Sequence, residues 1–284
     1  MTDLAVVSAP IAEVRALPDA SSELTDELLH GFECRVLSRS RGWVRVRSHY
    51  GYEGYVAIDA LKLVTEPPHG ASPFVVNTAF LDVLSRPDIR SARLACLSRG
   101  AIVSALPDRI GTGWKKLFLA DGHAGFVPER HLTERRFSDT YRDFSFSALL
   151  ERCYGGNEEA FRMQLTREAK SFLGTQYRWG GRSSGGVDCS GLVSLSYMLA
   201  GVNIFRDARI EPGFPIRELH DAPREGDLLY FPGHVAMYLG DGRYIHATAH
   251  PGANGVVTNS LRPEAPDFRR DLARSLCAVG GLRR

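Results

Sequence analysis

Apolar and polar positions change rhythm along this chain. Over the first 134 residues apolar side chains come in short alternating runs, such as Trp43-Val-Arg-Val-Arg47. That period of two is the mark of strands buried on one face. Glycines and Asp-Gly pairs punctuate the runs and read as turns. Further on the spacing becomes helical. Phe161, Leu165, Ala169 and Phe172 recur at intervals of four, four and three, predicting a helix over 158–173 that Gly174 stops. A short helix is expected at 146–153. Another starts near Asp188–Cys189 and reaches Leu199, ahead of Gly201. Its Leu192, Val193, Leu195, Met198 and Leu199 cover much of the circumference, which describes a buried helix. Strands are expected at 227–231, 234–239, 243–248, 255–259 and 275–279. Helices followed by a run of antiparallel strands make an α+β plan.

The strand-rich half repeats itself. Trp43 precedes Gly54-Tyr55-Val56 by 11 residues, and Leu61 follows Gly54 by seven. Trp114 precedes Gly125-Phe126-Val127 by 11, and Leu132 follows Gly125 by seven. Gly31 and Gly100 stand 12 and 14 residues ahead of the two tryptophans. Each tryptophan is expected to fill a core. The pattern resembles bacterial SH3 modules, small all-β barrels. Glu66-Pro67-Pro68-His69-Gly70 has the composition of a linker. The first barrel is therefore placed at 10–65 and the second at 72–134. A charged connecting segment at 135–160 (Arg135, Arg136, Asp139, Arg142, Asp143) leads to an α+β domain at 161–284.

Composition narrows the function classes. With 35 basic and 33 acidic residues the formal charge is +2, so no field draws the chain to nucleic acid or membrane. No stretch approaches the ~20 apolar residues of a membrane span. The first ten residues lack a basic n-region, so no secretory signal is expected and the protein is expected to be cytoplasmic, or secreted if a signal has been removed. Five cysteines at 34, 96, 153, 189 and 277 show neither Cys-x-x-Cys pairs nor a disulfide pattern, and reduced thiols fit them.

Chemistry concentrates around Cys189, in Gly-Gly-Val-Asp-Cys-Ser-Gly-Leu-Val. A glycine-rich turn delivers this thiol to the start of a helix, where unpaired N–H groups and the macrodipole favour a thiolate. Asp188 is placed to cap that helix. His234 opens a strand after Pro232-Gly233, and His246 lies on the next strand. The hairpin decides whether the two meet. A regular two-residue turn would put residue 240 opposite 243 throughout and send the imidazoles to opposite faces. A three-residue tip, or a bulge, would set His246 opposite Ala236, diagonal to His234 on one face. Thiol, base and an orienting group are the parts of a cysteine hydrolase. A zinc set drawn from Cys189, His234, His246 and His250 is the alternative.

Together Tyr177-Arg178-Trp179-Gly180-Gly181, Asp188-Cys189-Ser190-Gly191, Gly233-His234-Val235 and Ile245-His246-Ala247 resemble the NlpC-type cell-wall cysteine peptidases. The resemblance covers about 160–280 and implies a papain-like domain behind the two barrels, with no cofactor and no metal. Cys189 would be the nucleophile, His234 the base and His246 its orienting partner, with Tyr177 close to the thiol. The barrels ahead of it resemble the arrangement in γ-D-glutamyl-L-diamino-acid endopeptidases, which recycle murein peptides with a free N-terminal L-Ala. In that subgroup an Asp soon after the nucleophile's helix binds the free amine, and Arg206-Asp207-Ala208 matches. Asp188 and Ser190 would touch the peptide, and a tyrosine of the first barrel, Tyr52 or Tyr50, would wall the amine pocket. A monomer is expected. Another papain-like amidase or acyltransferase, a wall hydrolase with wall-binding barrels, and an adaptor built on the barrels alone are the competing readings.

Overall fold

The structure is a computed structural model describing residues 4–64, 69–137 and 141–283. Residues 66–68 of the expected linker, and Asp139, lie outside the described residues. The chain divides into two compact units, Met1–Arg135 and Arg136–Arg284.

The first unit holds two antiparallel sheets. The first comprises β1 (Leu4–Val7), β2 (Ile11–Arg15), β3 (Leu24–Leu29), β4 (Glu33–Ser40), β5 (Trp43–Ser48), β6 (Glu53–Ala57) and β7 (Leu61–Leu63). Its order is β3-β2-β6-β5-β4-β1-β7. The second comprises β8 (Ser72–Val76), β9 (Phe80–Leu84), β10 (Arg93–Ser98), β11 (Ile102–Ile110), β12 (Trp114–Phe118), β13 (Ala124–Pro128) and β14 (Leu132–Glu134). Its order, β10-β9-β13-β12-β11-β8-β14, is the first one strand for strand. In the first copy β1 lies ahead of residue 10 and pairs with both β4 and β7.

The repeated glycine has a steric cause. A Cβ on Gly54 would sit 2.3 Å from Val14 Cγ1, and one on Gly125 would sit 2.3 Å from Val83 Cγ1. Only hydrogen fits where the neighbouring strand crosses. The tryptophans depart from expectation. Trp43 and Trp114 are only partly buried. Along β5 the inward parity belongs to Val44 and Val46, which are buried, so Trp43 shares the outward side with Arg45 and Arg47. In the second copy the core is built from Val83, Leu97, Val103, Leu117 and Val127 instead.

The two barrels are joined at His30, which is buried. Its Nδ1 donates to the carbonyls of Ser8 and Ala9 at 3.0 and 3.3 Å, which leaves Nε2 to accept the Ala120 N–H at 3.0 Å. The His30 carbonyl accepts the Ile102 N–H at 2.8 Å. Beside it Gly31, at φ +78°, approaches so closely that a Cβ would lie 2.1 Å from the Ile102 oxygen.

The second unit follows the α+β plan. Helices α1 (Phe146–Tyr154) and α2 (Glu158–Lys170) are capped by Ser145 and Asn157, and α2 buries Phe161, Leu165 and Ala169. A short ribbon, β15 (Arg182–Ser183) with β16 (Gly186–Val187), precedes α3 (Cys189–Leu199), whose side chains are buried almost all round. Strands β17 (Arg217–Leu219), β18 (Leu228–Phe231), β19 (His234–Gly240), β20 (Arg243–Thr248), β21 (Gly255–Ser260) and β22 (Ala278–Gly281) form one sheet in the order β17-β22-β18-β19-β20-β21. The chain is still helical at Ser275, in α4 (Arg270–Ser275), so the last strand starts later than the expected 275. The edge strand β17, Arg-Glu-Leu, lacks the alternation that would have announced it.

Candidate active site

Cys189 opens α3, and its surroundings are built from glycine and charge. Asp188 caps the helix, its Oδ1 accepting the Gly191 N–H at 2.6 Å. A Cβ on Gly191 would lie 2.0 Å from the Gly181 carbonyl oxygen, and one on Gly181 would lie 2.5 Å from that of Gly186. The ribbon therefore presses directly on the start of the helix. The sulfur is almost wholly buried and receives the backbone N–H groups of Val235 and Ser190. Burial pushes the thiol up to about 11, with the Asp188 carboxylate adding to it. The N–H groups and Arg206 pull the other way without winning. The expectation of a standing thiolate is thus corrected: desolvation outweighs the helix start, and the group rests as a thiol.

The hairpin of β19 and β20 brings the histidines together. Its tip is the two-residue turn Asp241-Gly242, with Gly240 opposite Arg243. Tyr238 nevertheless faces Tyr244, and Met237 faces Ile245, because Leu239 is left out as a bulge. The bulge restores the parity that a plain two-residue turn would break, and the register sets His246 opposite Ala236. His234 Nε2 lies 2.7 Å from His246 Nδ1. His246, with no exposed surface, turns its Nε2 to Asn259 Oδ1 at 2.9 Å. Asn259 Nδ2 donates to the Asp267 carbonyl at 2.8 Å. Burial first, and His246 next, lower His234 to about 3; burial lowers His246 to about 4. Both imidazoles are neutral at neutral pH. Asn259 escaped the sequence reading. It sits opposite Tyr244 on β21, and only the strand register reveals that it reaches His246.

The remaining predicted residues divide. Tyr177 pairs its backbone with Val187, and its phenol is pushed up to about 12, chiefly by burial and then by Cys189 and Asp188. It therefore stands near the thiol. Asp207 and Ala208 are half-buried in the loop after α3, where the Asp207 carbonyl accepts the Arg209 N–H at 2.8 Å. Arg206, expected beside the amine-binding Asp207, is 1% exposed and turned inward. It donates to Asp188 Oδ1 and Oδ2 at 3.0 and 2.9 Å, to Ser190 Oγ at 2.7 Å and to the Gly181 carbonyl at 3.3 Å. The Ser190 hydroxyl is engaged in the same network, donating to Asp188 at 3.2 Å, so its side chain is held inward rather than offered to a peptide. Tyr52 is half-buried in the first barrel, its N–H on Ser48 Oγ at 3.0 Å. Tyr50 is a core residue whose hydroxyl is spent on Asp26 at 2.5 Å. Among the described residues no three His, Cys, Asp or Glu side chains converge as a metal set, and no helix is long and apolar enough to cross a membrane.

Known proteins resemble this chain in sequence and fold. Residues 174–266 match the NlpC/P60 family and residues 14–61 the bacterial dipeptidyl-peptidase Sh3 domain. Dipeptidyl-peptidase 6 of Lysinibacillus sphaericus is 38% identical over 285 residues, which is 98% of this chain and 99% of that protein. The chain belongs to the NlpC/P60 family. A crystal structure of an NlpC/P60 family protein from Bacillus cereus shares the fold with a TM-score of 0.73 at 20% identity, covering 97% of this chain and 98% of that one. A gamma-D-glutamyl-L-lysine dipeptidyl-peptidase of Bacillus cereus is 36% identical over 91 residues, 29% of this chain and 27% of that protein. This NlpC/P60 protein is accordingly a peptide hydrolase of the cell-wall peptidase group, a papain-like α+β domain behind two SH3-like barrels.

Proposed function

We propose that this NlpC/P60 protein is a cysteine endopeptidase that hydrolyses the γ-D-glutamyl–diamino acid amide bond of murein peptides bearing a free N-terminal L-Ala. The observations that carry the reading are a buried thiol at a helix start that receives the N–H of Val235, the residue next to His234, and a hydrogen bond that sets His234 Nε2 2.7 Å from His246 Nδ1.

In this reading the thiol and His234 rest neutral. As the Cys189 sulfur forms its bond to the γ-glutamyl carbonyl carbon, its proton passes to His234. The oxyanion takes N–H donors at the start of α3, with Tyr177 beside them. Protonated His234 then gives that proton to the leaving amine as the C–N bond breaks, and a thioester remains. Water, losing a proton to His234, attacks the thioester and frees the acid and the thiol. His246 holds the ring of the base in place. Asp207 supplies the carboxylate for the substrate's ammonium group, since a capped amine would leave that charge unanswered in a closing pocket. The relative's name, a gamma-D-glutamyl-L-lysine dipeptidyl-peptidase, supports the bond chosen. All five cysteines are unpaired, which supports work in a reducing, cytoplasmic setting on imported wall peptides.

The test is to incubate wild type, Cys189→Ala and Asp207→Ala with L-Ala-γ-D-Glu-meso-diaminopimelate and with its N-acetylated form, following products by mass spectrometry. Wild type should cleave the free peptide and spare the capped one, and Cys189→Ala should cleave neither. Equal cleavage of both peptides would refute the amine requirement. Undiminished turnover by Cys189→Ala would refute the nucleophile.

A further inference from the structure

The base in this site must be the nitrogen of His234 that does not touch His246. Which nitrogen carries a proton is decided at the far end of the contact line, and the hydrogen-bond polarity there has a single solution. The Asp267 carbonyl can only accept, and it already takes the Ser260 N–H at 3.4 Å. The atom of Asn259 facing it at 2.8 Å must therefore be the amide nitrogen. This turns Oδ1 of Asn259, again an acceptor, toward His246 Nε2 at 2.9 Å. His246 must then be protonated on Nε2. A neutral ring protonated there is bare on Nδ1, so Nδ1 accepts from His234 Nε2 across 2.7 Å. The proton of His234 is thereby fixed on Nε2, and Nδ1 is left as the free basic nitrogen.

We propose that Asn259 is a positioning residue that sets the tautomers of both imidazoles, so that Nδ1 of His234 is the site that takes the Cys189 proton. The inference rests on the reading of Cys189 and His234 as nucleophile and base, and it adds a direction to the line that the two histidines alone do not possess. Without Asn259 the His246 ring could carry its proton on either nitrogen. With the proton on Nδ1 it would donate to His234 Nε2, move the His234 proton to Nδ1 and block the base. The anchor is itself fixed. Asp267 is held by Arg243, whose Nη2 reaches its Oδ2 at 2.9 Å, and the segment after it bridges back from Phe268 to Ser260. Charged groups beyond the line do not supply the direction. Arg269 and Asp271, the charges that reach both rings, act on them with opposite sign and are paired with each other at 2.8 Å.

The experiment uses the full chain and two readouts. Nitrogen-15 imidazole shifts report the tautomers directly and need no turnover, and kcat and KM on the free tripeptide report function. Wild type should show both rings protonated on Nε2 at neutral pH. Asn259→Leu, which removes the acceptor, should give a mixture of tautomers at His246 and His234 and lower kcat about ten-fold, the worth of one hydrogen bond, with KM unchanged. Asn259→Asp, which keeps an acceptor and adds charge, should keep the wild-type tautomers and shift the acid limb of the kcat/KM profile to higher pH. Nε2 tautomers persisting in Asn259→Leu would overturn the proposal, as would a loss of kcat in that variant with the tautomers intact, the signature of a merely structural role. If the tripeptide is not a substrate, the kinetic arm reports that failure separately, and the tautomers still decide the role of Asn259.

Discussion

Arg206 ties together the charged and polar groups at the start of α3. Its guanidinium is 1% exposed and meets both oxygens of Asp188, the Ser190 hydroxyl and the Gly181 carbonyl. Replacing it with methionine leaves the 8%-exposed Asp188 carboxylate facing the Gly191 N–H and the Ser190 hydroxyl without the guanidinium that pairs both its oxygens. Breaking a buried pair from one side costs about 3–5 kcal/mol, mostly because the surviving charge is stranded. At about 2–4 °C per kcal/mol this lowers the melting transition of the second unit by roughly 6–20 °C. Removing both charges strands nothing, so Asp188→Asn combined with Arg206→Met should melt higher than Arg206→Met alone. The assay is a double-mutant cycle on the full chain by calorimetry and urea unfolding. A loss under about 1 kcal/mol in Arg206→Met, or a double variant as unstable as the sum of the singles, would refute the reasoning.

Further outcomes follow from the same geometry. His246 is lowered to about 4 in the fold against 6.5 in the unfolded chain, so the unfolded chain binds its proton first as pH drops. The stability this gives is present above pH 6.5 and falls by up to about 3 kcal/mol as pH drops toward 4; urea midpoints of His246→Gln should depend less on pH over that window, and an equal dependence would refute it. Because burial holds Cys189 near 11, iodoacetamide should label the free enzyme slowly at neutral pH and faster in alkali, whereas a rate already at its plateau in weak acid would reveal a standing thiolate. Gly54→Ala and Gly125→Ala should each destabilise the first unit by about 1–3 kcal/mol, since each new methyl meets a valine Cγ1 at 2.3 Å; a neutral result at either position in thermal melts would contradict the crossing described.

Local pattern made much of this legible. The buried circumference of α3, the caps, and the start and end of β20 all follow from residues within one turn or one strand of each other. The pairing of His234 with His246 was legible as a condition on the hairpin, and the Leu239 bulge meets it. What the sequence hid depends on partners far along the chain. Arg206 stands beside Asp207 in sequence, yet its bidentate partner is Asp188, 18 positions earlier. Asn259 gains its meaning from the register of a third strand and from a carbonyl eight residues on. The tryptophans misled because size suggested burial, while strand parity had already assigned the interior to Val44 and Val46. The resting state of Cys189 was hidden as well, since a helix start is visible in sequence and the depth of burial is not.

The left-out residue at Leu239 gives the solvent end of this hairpin authority over chemistry several residues away. Were the tip to relax into an even ladder, one imidazole would swing to the far side of the sheet and the base would lose its partner, with every reactive side chain still present in the sequence. Chains that keep all the reactive residues but have lost this kink would then look competent on paper and be inert in solution.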